Sequence, residues 1–217
     1  YDAGKDVVRL LNMVKDDNQT GDDVKGAVYQ LKKSTGSTAI GTMNVVGTLS
    51  ADNAIVDTIN ADNHSMFVVD KDGTTLNISN VSINGANNID DDGVTLNASV
   101  IDITSTSSTV TLENVIFAQN KGDAVYNAGI LNMYNVVFNA GGMKSANSLK
   151  NVGVVNLYGT NEFACNVVNT GNINVQATEN PKYTAPIKNT FNLLTNSGDR
   201  FLNAGEVEFL GNINNTG

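Results

Sequence analysis

The chain is poor in the residues on which most catalytic and metal sites depend. It has no Trp, one Cys, one His and two Pro among 217 residues. A single Cys excludes an internal disulfide, and a Ser-His-Asp triad or an ordinary zinc site would have to use His64. His64 lies in a polar segment beside Asn63 and Ser65, so we interpret it as a solvated turn residue. Cys165 has no His near it in the sequence to activate it, and we interpret it as a buried, inert thiol. No cofactor is expected.

Positive charge and long apolar segments are also scarce. The chain has 13 Lys and Arg against 22 Asp and Glu, a net charge of −9, and its one basic cluster is Lys32-Lys33. Nucleic acids and anionic membrane surfaces are therefore poor partners. The sequence has no run of 18 apolar residues, so it predicts no membrane-spanning helix. The apolar share of 41% is enough for a narrow, continuous core in one elongated domain.

Asparagine is abundant, and it is placed regularly. Three segments share one pattern, in which two buried positions alternate with period two, an Asn intervenes, and the alternation resumes one residue late. They are Leu76-Asn-Ile-Ser-Asn-Val-Ser-Ile83, Val110-Thr-Leu-Glu-Asn-Val-Ile-Phe117 and Leu131-Asn-Met-Tyr-Asn-Val-Val-Phe138. A slip of one residue would turn the buried face outward unless the backbone bends there. Asn tolerates positive φ better than other non-Gly residues, so the pattern predicts strand, sharp Asn corner, strand.

A second recurring element is an Asn-x-Gly turn before each first strand. The turns are Asn127-Ala-Gly129, Asn151-Val-Gly153, Asn169-Thr-Gly171, Asn203-Ala-Gly205 and Asn215-Thr-Gly217. An apolar residue recurs ahead of these turns, and the predicted buried row is Val69, Ile101, Val125, Leu149, Val167 and Phe201. A third short strand therefore enters each turn. Repeats of about 20 residues that bury their apolar face only by stacking are typical of solenoids, and the varying length is expected in the connection after the second strand.

Stacked repeats place equivalent residues in rows about 4.8 Å apart, close enough for side-chain amides to bond one another. Two ladders are predicted. Their members are Asn80, Asn114 and Asn135 at the corners, and Asn127, Asn151, Asn169 and Asn203 at the turns. Each amide bond contributes roughly 1 kcal/mol net, and an unpaired buried member costs more.

The expected fold class is all-β, a right-handed parallel β-helix with an N-terminal capping helix. Residues 4–15 place Val7, Leu10, Leu11 and Val14 on one helical face. We expect residues 1–26 to form the cap and residues 27–217 the β-helix. Because the chain starts without Met and ends inside an Asn-x-Gly turn, we expect a monomeric fragment of a longer solenoid. Its export signal would have been removed and its C-terminal membrane anchor would be missing.

Short motifs add a family resemblance. Phe117-Ala-Gln-Asn120 and Phe163-Ala-Cys-Asn166 match Phe-x-x-Asn, and Gly122-Asp-Ala-Val-Tyr-Asn127 is close to Gly-Gly-Ala-Ile-Tyr-Asn. This order resembles the repeats of polymorphic outer-membrane-protein and other autotransporter-type adhesins. The resemblance implies a secreted, right-handed β-helical passenger domain on a bacterial cell surface, with a host-cell or matrix protein or glycan as partner.

Three functions remain open. The first is an adhesin-like scaffold that presents long loops, which include Asn88, Asp90, Asp91 and Asp92 in one and Lys182 and Tyr183 in another. The second is a polysaccharide-cleaving enzyme with Asp70 and Asp102 on successive repeats as its acid pair. The chain has no Trp and only two Arg, which argues against that enzyme. The third is a structural spacer in a surface fibre.

The acidic run Asp90-Asp-Asp92-Gly93 could in principle hold Ca²⁺. Consecutive carboxylates lack the alternate spacing of a good calcium loop. We therefore interpret this run as a solvated acidic loop.

Overall fold

The computed structural model describes residues 7–9, 29–30, 42–60, 66–70, 72–84, 99–118, 123–139, 147–176, 188–197, 200–203, 206–211 and 213–216. These residues are all-β, with no helix among them. The strands are β1 (Val7–Arg9), β2 (Tyr29–Gln30), β3 (Thr42–Val46), β4 (Asp57–Asn60), β5 (Phe67–Val69), β6 (Thr75–Asn84), β7 (Ile101–Ile103), β8 (Thr109–Ala118), β9 (Val125–Asn127), β10 (Ile130–Tyr134), β11 (Val137–Phe138), β12 (Asn147–Asn151), β13 (Val154–Tyr158), β14 (Asn161–Asn169), β15 (Asn172–Val175), β16 (Lys188–Asn196), β17 (Arg200–Asn203), β18 (Glu206–Phe209) and β19 (Ile213–Asn215).

The strands pair in parallel with their equivalents one repeat away. First strands follow a turn and stack in the order β3, β6, β8, β10, β13, β15, β17. Second strands follow the corner and stack as β4, β6, β8, β11, β14, β16, β18. Third strands enter the next turn and stack as β2, β5, β7, β9, β12, β14, β16, β19. The arrangement is an open parallel sheet compatible with a β-helix or solenoid.

The predicted Asn corners are confirmed. Asn80, Asn114 and Asn135 have φ of 60°, 52° and 54°. At each corner the alternation of buried and outward side chains shifts by one residue. In β6 and β8 the same face therefore stays buried before and after the shift. Gly159 takes the corresponding corner of the next repeat with φ of 64°, because glycine is the other residue that adopts this conformation at low cost.

Five phenylalanines form one column through the core. They stack from Phe117 to Phe138, Phe163, Phe191 and Phe209 with ring centroids 4.8, 5.1, 4.7 and 5.6 Å apart. Ile83 lies below Phe117 in register. The centroid spacing follows the strand spacing of about 4.8 Å, so each added repeat buries another ring on the one beneath it.

The turn glycines are needed because successive turns lie very close together. A Cβ on Gly129 would lie 2.6 Å from the carbonyl oxygens of Ser105 and Ser108. A Cβ on Gly153 would overlap the carbonyl oxygen of Gly129, and one on Gly171 that of Gly153. Backbone atoms cannot move aside as a flexible side chain can, so any side chain at these positions would strain the turns.

The register corrects the ends of the predicted buried row. Ile101, Val125, Leu149 and Val167 do stack in register. Phe67, rather than Val69, lies below Ile101. Leu194, rather than Phe201, lies above Val167, while Phe201 pairs with Ile173. The turn that follows Asp70 is longer than the turns of the later repeats. An alignment on Gly73 is therefore offset by two residues from the strand register.

The turn ladder has a different upper member from the one predicted. Asn127 donates to Asn151 Oδ1 at 2.7 Å, Asn151 to Asn169 Oδ1 at 2.6 Å, and Asn169 to Asn196 Oδ1 at 2.6 Å. Asn196 donates in turn to Asn215 at 2.7 Å. Asn203 lies opposite Val175 at the end of a first strand, so its assignment to this ladder was wrong.

The predicted capping helix is not present where its segment can be described. Val7–Arg9 forms β1, which pairs in parallel with residues 44–46 of β3. Alternating and helical patterns are hard to separate in an apolar run this short. The rest of residues 4–15 lies outside the described residues.

One long connection follows a different strand from the one predicted. Residues 85–98 follow a second strand, as expected, but residues 177–187 follow the first strand β15. In β14 and β16 the second and third strands are continuous, apart from a register shift between Phe163 and Asn166. The extra length therefore moves to the corner in that repeat.

Candidate binding surface

The residues predicted to contact a partner lie outside the described residues. They are Asn88, Asp90, Asp91, Asp92, Lys182 and Tyr183. His64 also lies outside the described residues. The described residues that flank the first loop belong to the stack. Asn84 ends β6 opposite Ala118, and Val100 at the return donates its N–H to Asp123 O at 3.2 Å.

The acid pair of the enzyme hypothesis is not brought into register. Asp102 lies between Val68 and Tyr126 on the outward side of the third strands, and Asp70 follows the end of β5. Burial raises the pKa of the Asp102 carboxyl. The described ranges contain no group of three or more His, Cys, Asp or Glu that could hold a metal ion.

Cys165 is half-buried in β14, between the part that forms the second strand of its repeat and the part that forms the third strand. Its N–H donates to Ser148 Oγ at 3.1 Å. Burial raises the pKa of the thiol, opposed by a hydrogen bond from Ser148. A thiol with a raised pKa stays protonated at neutral pH, and the protonated form is a poor nucleophile.

A regular polar surface lies on the outward side of the first strands β10, β13 and β15, which we call the amide face. Its central column is Asn132, Asn156 and Asn174, in register on successive strands. Asn156 Nδ2 donates to Asn132 Oδ1 at 2.9 Å, and Asn174 Nδ2 donates to Asn156 Oδ1 at 3.0 Å. Gln176 Nε2 donates to the same Asn156 oxygen at 3.3 Å.

Two tyrosines border this column. Tyr134 and Tyr158 stack with ring centroids 4.4 Å apart and an interplanar angle of 7°. The pKa of Tyr134 is raised by burial first, then by Tyr158 and by the charge of Glu113. The phenol therefore remains a hydrogen-bond donor at neutral pH.

Aliphatic side chains border the column on its other side. Ile130 and Val154 lie in register, and Ile130 is 37% exposed. Along each strand the outward residues alternate with buried Leu131 and Met133 or their equivalents. On β10 and β13 the amide face thus consists of an aliphatic, an amide and an aromatic column side by side.

Sequence reasoning missed this face, although the signal was present. Asn132 and Tyr134 follow Gly129 at the same distances at which Asn156 and Tyr158 follow Gly153. An alignment of the outward first-strand positions on these two glycines predicts the amide and tyrosine columns.

A search against protein-family models, curated proteins and solved structures found no match to this chain. Within the described part of the chain, no helix is long and apolar enough to cross a membrane.

Proposed function

We propose that this chain is an adhesin-like passenger domain of a bacterial cell-surface or secreted protein, a right-handed parallel β-helix that presents loops to a host-cell or matrix partner. The handedness rests on the general rule for parallel crossovers, and the surface location rests on the repeat motifs of the sequence. The proposed role is recognition rather than catalysis.

One observation carries the proposal. Four successive connections, 61–65, 85–98, 119–122 and 140–146, follow second strands that pair in register, β4, β6, β8 and β11. The described strand ends that precede these connections therefore lie one above another at the same edge. The lengths of the connections differ severalfold while the strands between them keep their register, and insertions on one side of a solenoid often mark its binding side.

The loss of the register pairing for Asp70 and Asp102 favours this proposal over the enzyme. The enzyme hypothesis requires two adjacent acids on successive repeats. Asp102 instead lies between Val68 and Tyr126, so its carboxyl is not directly opposite that of Asp70.

The test measures binding of the purified domain to cultured mammalian cells and to immobilised matrix proteins. In one variant, residues 85–98 are replaced by the short 119–122 connection, which already joins the same strand positions in the next repeat. A matched control carries Asp52→Ser in the exposed corner excursion between β3 and β4. We expect the intact domain and the control to bind, and the shortened variant to lose at least tenfold in affinity.

Equal binding by the shortened variant would place recognition elsewhere. No binding by the intact domain to any of these probes would favour a structural spacer. Cleavage of a glycan that is abolished by Asp102→Asn would restore the enzyme hypothesis.

A further inference from the structure

The amide face is uncharged in a strongly acidic protein. The chain carries 22 Asp and Glu against 13 Lys and Arg. None of the outward residues of the face is charged: Ile130, Asn132, Tyr134, Val154, Asn156, Tyr158, Asn172, Asn174 and Gln176. Glu113 lies in register directly below Tyr134. A neutral partner matches this surface, and an anionic one is disfavoured at its lower border.

The amide column keeps hydrogen-bonding capacity after its internal bonds are made. Asn156 uses one of its two amide N–H groups for Asn132, and Asn132 accepts that bond with its oxygen. Each amide group has two N–H donors and an oxygen with two lone pairs. Among the described contacts, the N–H groups of Asn132, the second N–H of Asn156 and the oxygen of Asn174 remain available to a ligand on the surface.

The columns on either side supply apolar contact. Ile130 and Val154 form the aliphatic border, and the stacked rings of Tyr134 and Tyr158 form the other. A sugar ring has hydroxyl groups around its edge and C–H groups on its faces. Its chemistry matches a strip of donors and acceptors between two apolar strips.

We propose that the amide face binds a neutral, linear polysaccharide that runs along the stacking direction. The sugar hydroxyls bond the amides of Asn132, Asn156 and Asn174, and the C–H groups pack on the aliphatic and tyrosine columns. An extended chain fits because equivalent side chains of the face lie in register and repeat at the strand spacing of about 4.8 Å. The site uses strand faces, so it is independent of the connections proposed above as the recognition loops.

The test uses two probes, depletion of the full chain by microcrystalline cellulose and titration of cellohexaose followed by calorimetry. The main variant is Tyr134→Ala with Tyr158→Ala. We expect binding of the intact chain and at least a tenfold loss in this variant. The matched control is Tyr126→Ala, which removes an outward tyrosine from the third-strand side and is expected to leave binding unchanged.

A second variant covers the case in which the double tyrosine change disturbs folding. Asn156→Asp keeps the shape of the side chain but replaces its donors with a charge, and we expect at least a fivefold weaker affinity for cellohexaose. Thermal unfolding of each variant shows whether it is folded. The proposal is overturned if the intact chain binds neither probe, if folded Asn156→Asp binds like wild type, or if polygalacturonate binds as tightly as cellohexaose. Shortening residues 85–98 is expected to leave cellohexaose binding intact, which separates this site from the loop proposal.

Discussion

The lower stack (residues 66–139) and the upper stack (residues 147–197) join the same three strand positions in opposite ways. In the lower stack β6 and β8 run through the Asn corner, so first and second strands are continuous and the spare length follows the second strand. In the upper stack β14 and β16 join second to third strands, and the spare length of residues 177–187 lies at the corner. Stacking preserves where the strands lie, and the connections take up every difference in length.

The polar ladders change place between the same two regions. The lower stack has corner amides, with Asn114 donating to Asn80 at 3.1 Å and Asn135 to Asn114 at 3.3 Å. The row that becomes the turn ladder is apolar in the first repeats of the lower stack, with Val69 below Ile103. From Asn127 upward this row is polar, and the corner passes to Gly159.

A buried amide column in the upper stack has no counterpart below. Asn161 donates to Asn189 Oδ1 at 2.8 Å and accepts the N–H of Val136 at 2.9 Å. The equivalent lower positions are Val81 and Val115. The upper stack is therefore held by interior hydrogen bonds at two places where the lower stack relies on apolar packing.

The largest effect is expected from crowding a turn of the upper stack. Gly153→Val should destabilise the fold by about 3 kcal/mol or more, because its Cβ would meet the carbonyl backbone of the turn below and cannot be relieved by a rotamer. Chemical denaturation measures the change. Val152→Ala, at the exposed neighbour that is 43% accessible, should change stability by less than about 0.5 kcal/mol. A well-folded Gly153→Val of normal stability would contradict the close stacking of the turns.

Breaking the interior ladder should come next. Asn151 donates to Asn169 and accepts from Asn127 and from the N–H of Gly153. Asn151→Leu leaves those buried groups unpaired, at a cost of roughly 2–4 kcal/mol. Thermal or urea unfolding measures it.

The control for that change is Asn156→Leu in the same repeat. It removes a member of the half-buried outward column, where water can replace the lost bonds, so we expect a cost below about 1 kcal/mol. Similar losses of stability in the two variants would show that the interior ladder contributes no more to stability than the outward column.

The corner conformation of the lower stack can be isolated with a pair of variants. Asn114→Gly and Asn114→Ala both remove the amide bonds to Asn80 and Asn135. Both variants must adopt φ near 52°, a conformation that is strained for alanine but not for glycine, so the alanine variant should be less stable by about 1 kcal/mol. Equal stabilities in a denaturant titration would rule out conformational strain as the reason for Asn.

The smallest effect is expected from pH. Burial raises the pKa of Asp102 in the folded state, so the folded protein favours the protonated carboxyl. Its contribution to stability is greatest below the ordinary pKa and declines as pH rises towards the raised folded value. Asp102→Asn should remove this decline, and the difference between the two unfolding curves across mildly acidic pH measures it. A difference that does not vary with pH would contradict the burial of this carboxyl.

The sequence by itself was enough to predict the parallel β architecture, the Asn corners and the central members of both ladders. These follow from side-chain period, from the conformational preference of Asn, and from spacing, which are local properties. Ile101, Val125, Leu149 and Val167 could be aligned because their repeats share one turn length.

Only the tertiary structure decided which residues meet across repeats of different length. Asn196 rather than Asn203 continues the turn ladder, and Phe67 rather than Val69 continues the buried row. The strand at Val7–Arg9 likewise depends on its partner β3. Register is set by the neighbouring strand, and a repeat that places its extra residues in another connection carries no local sign of the shift.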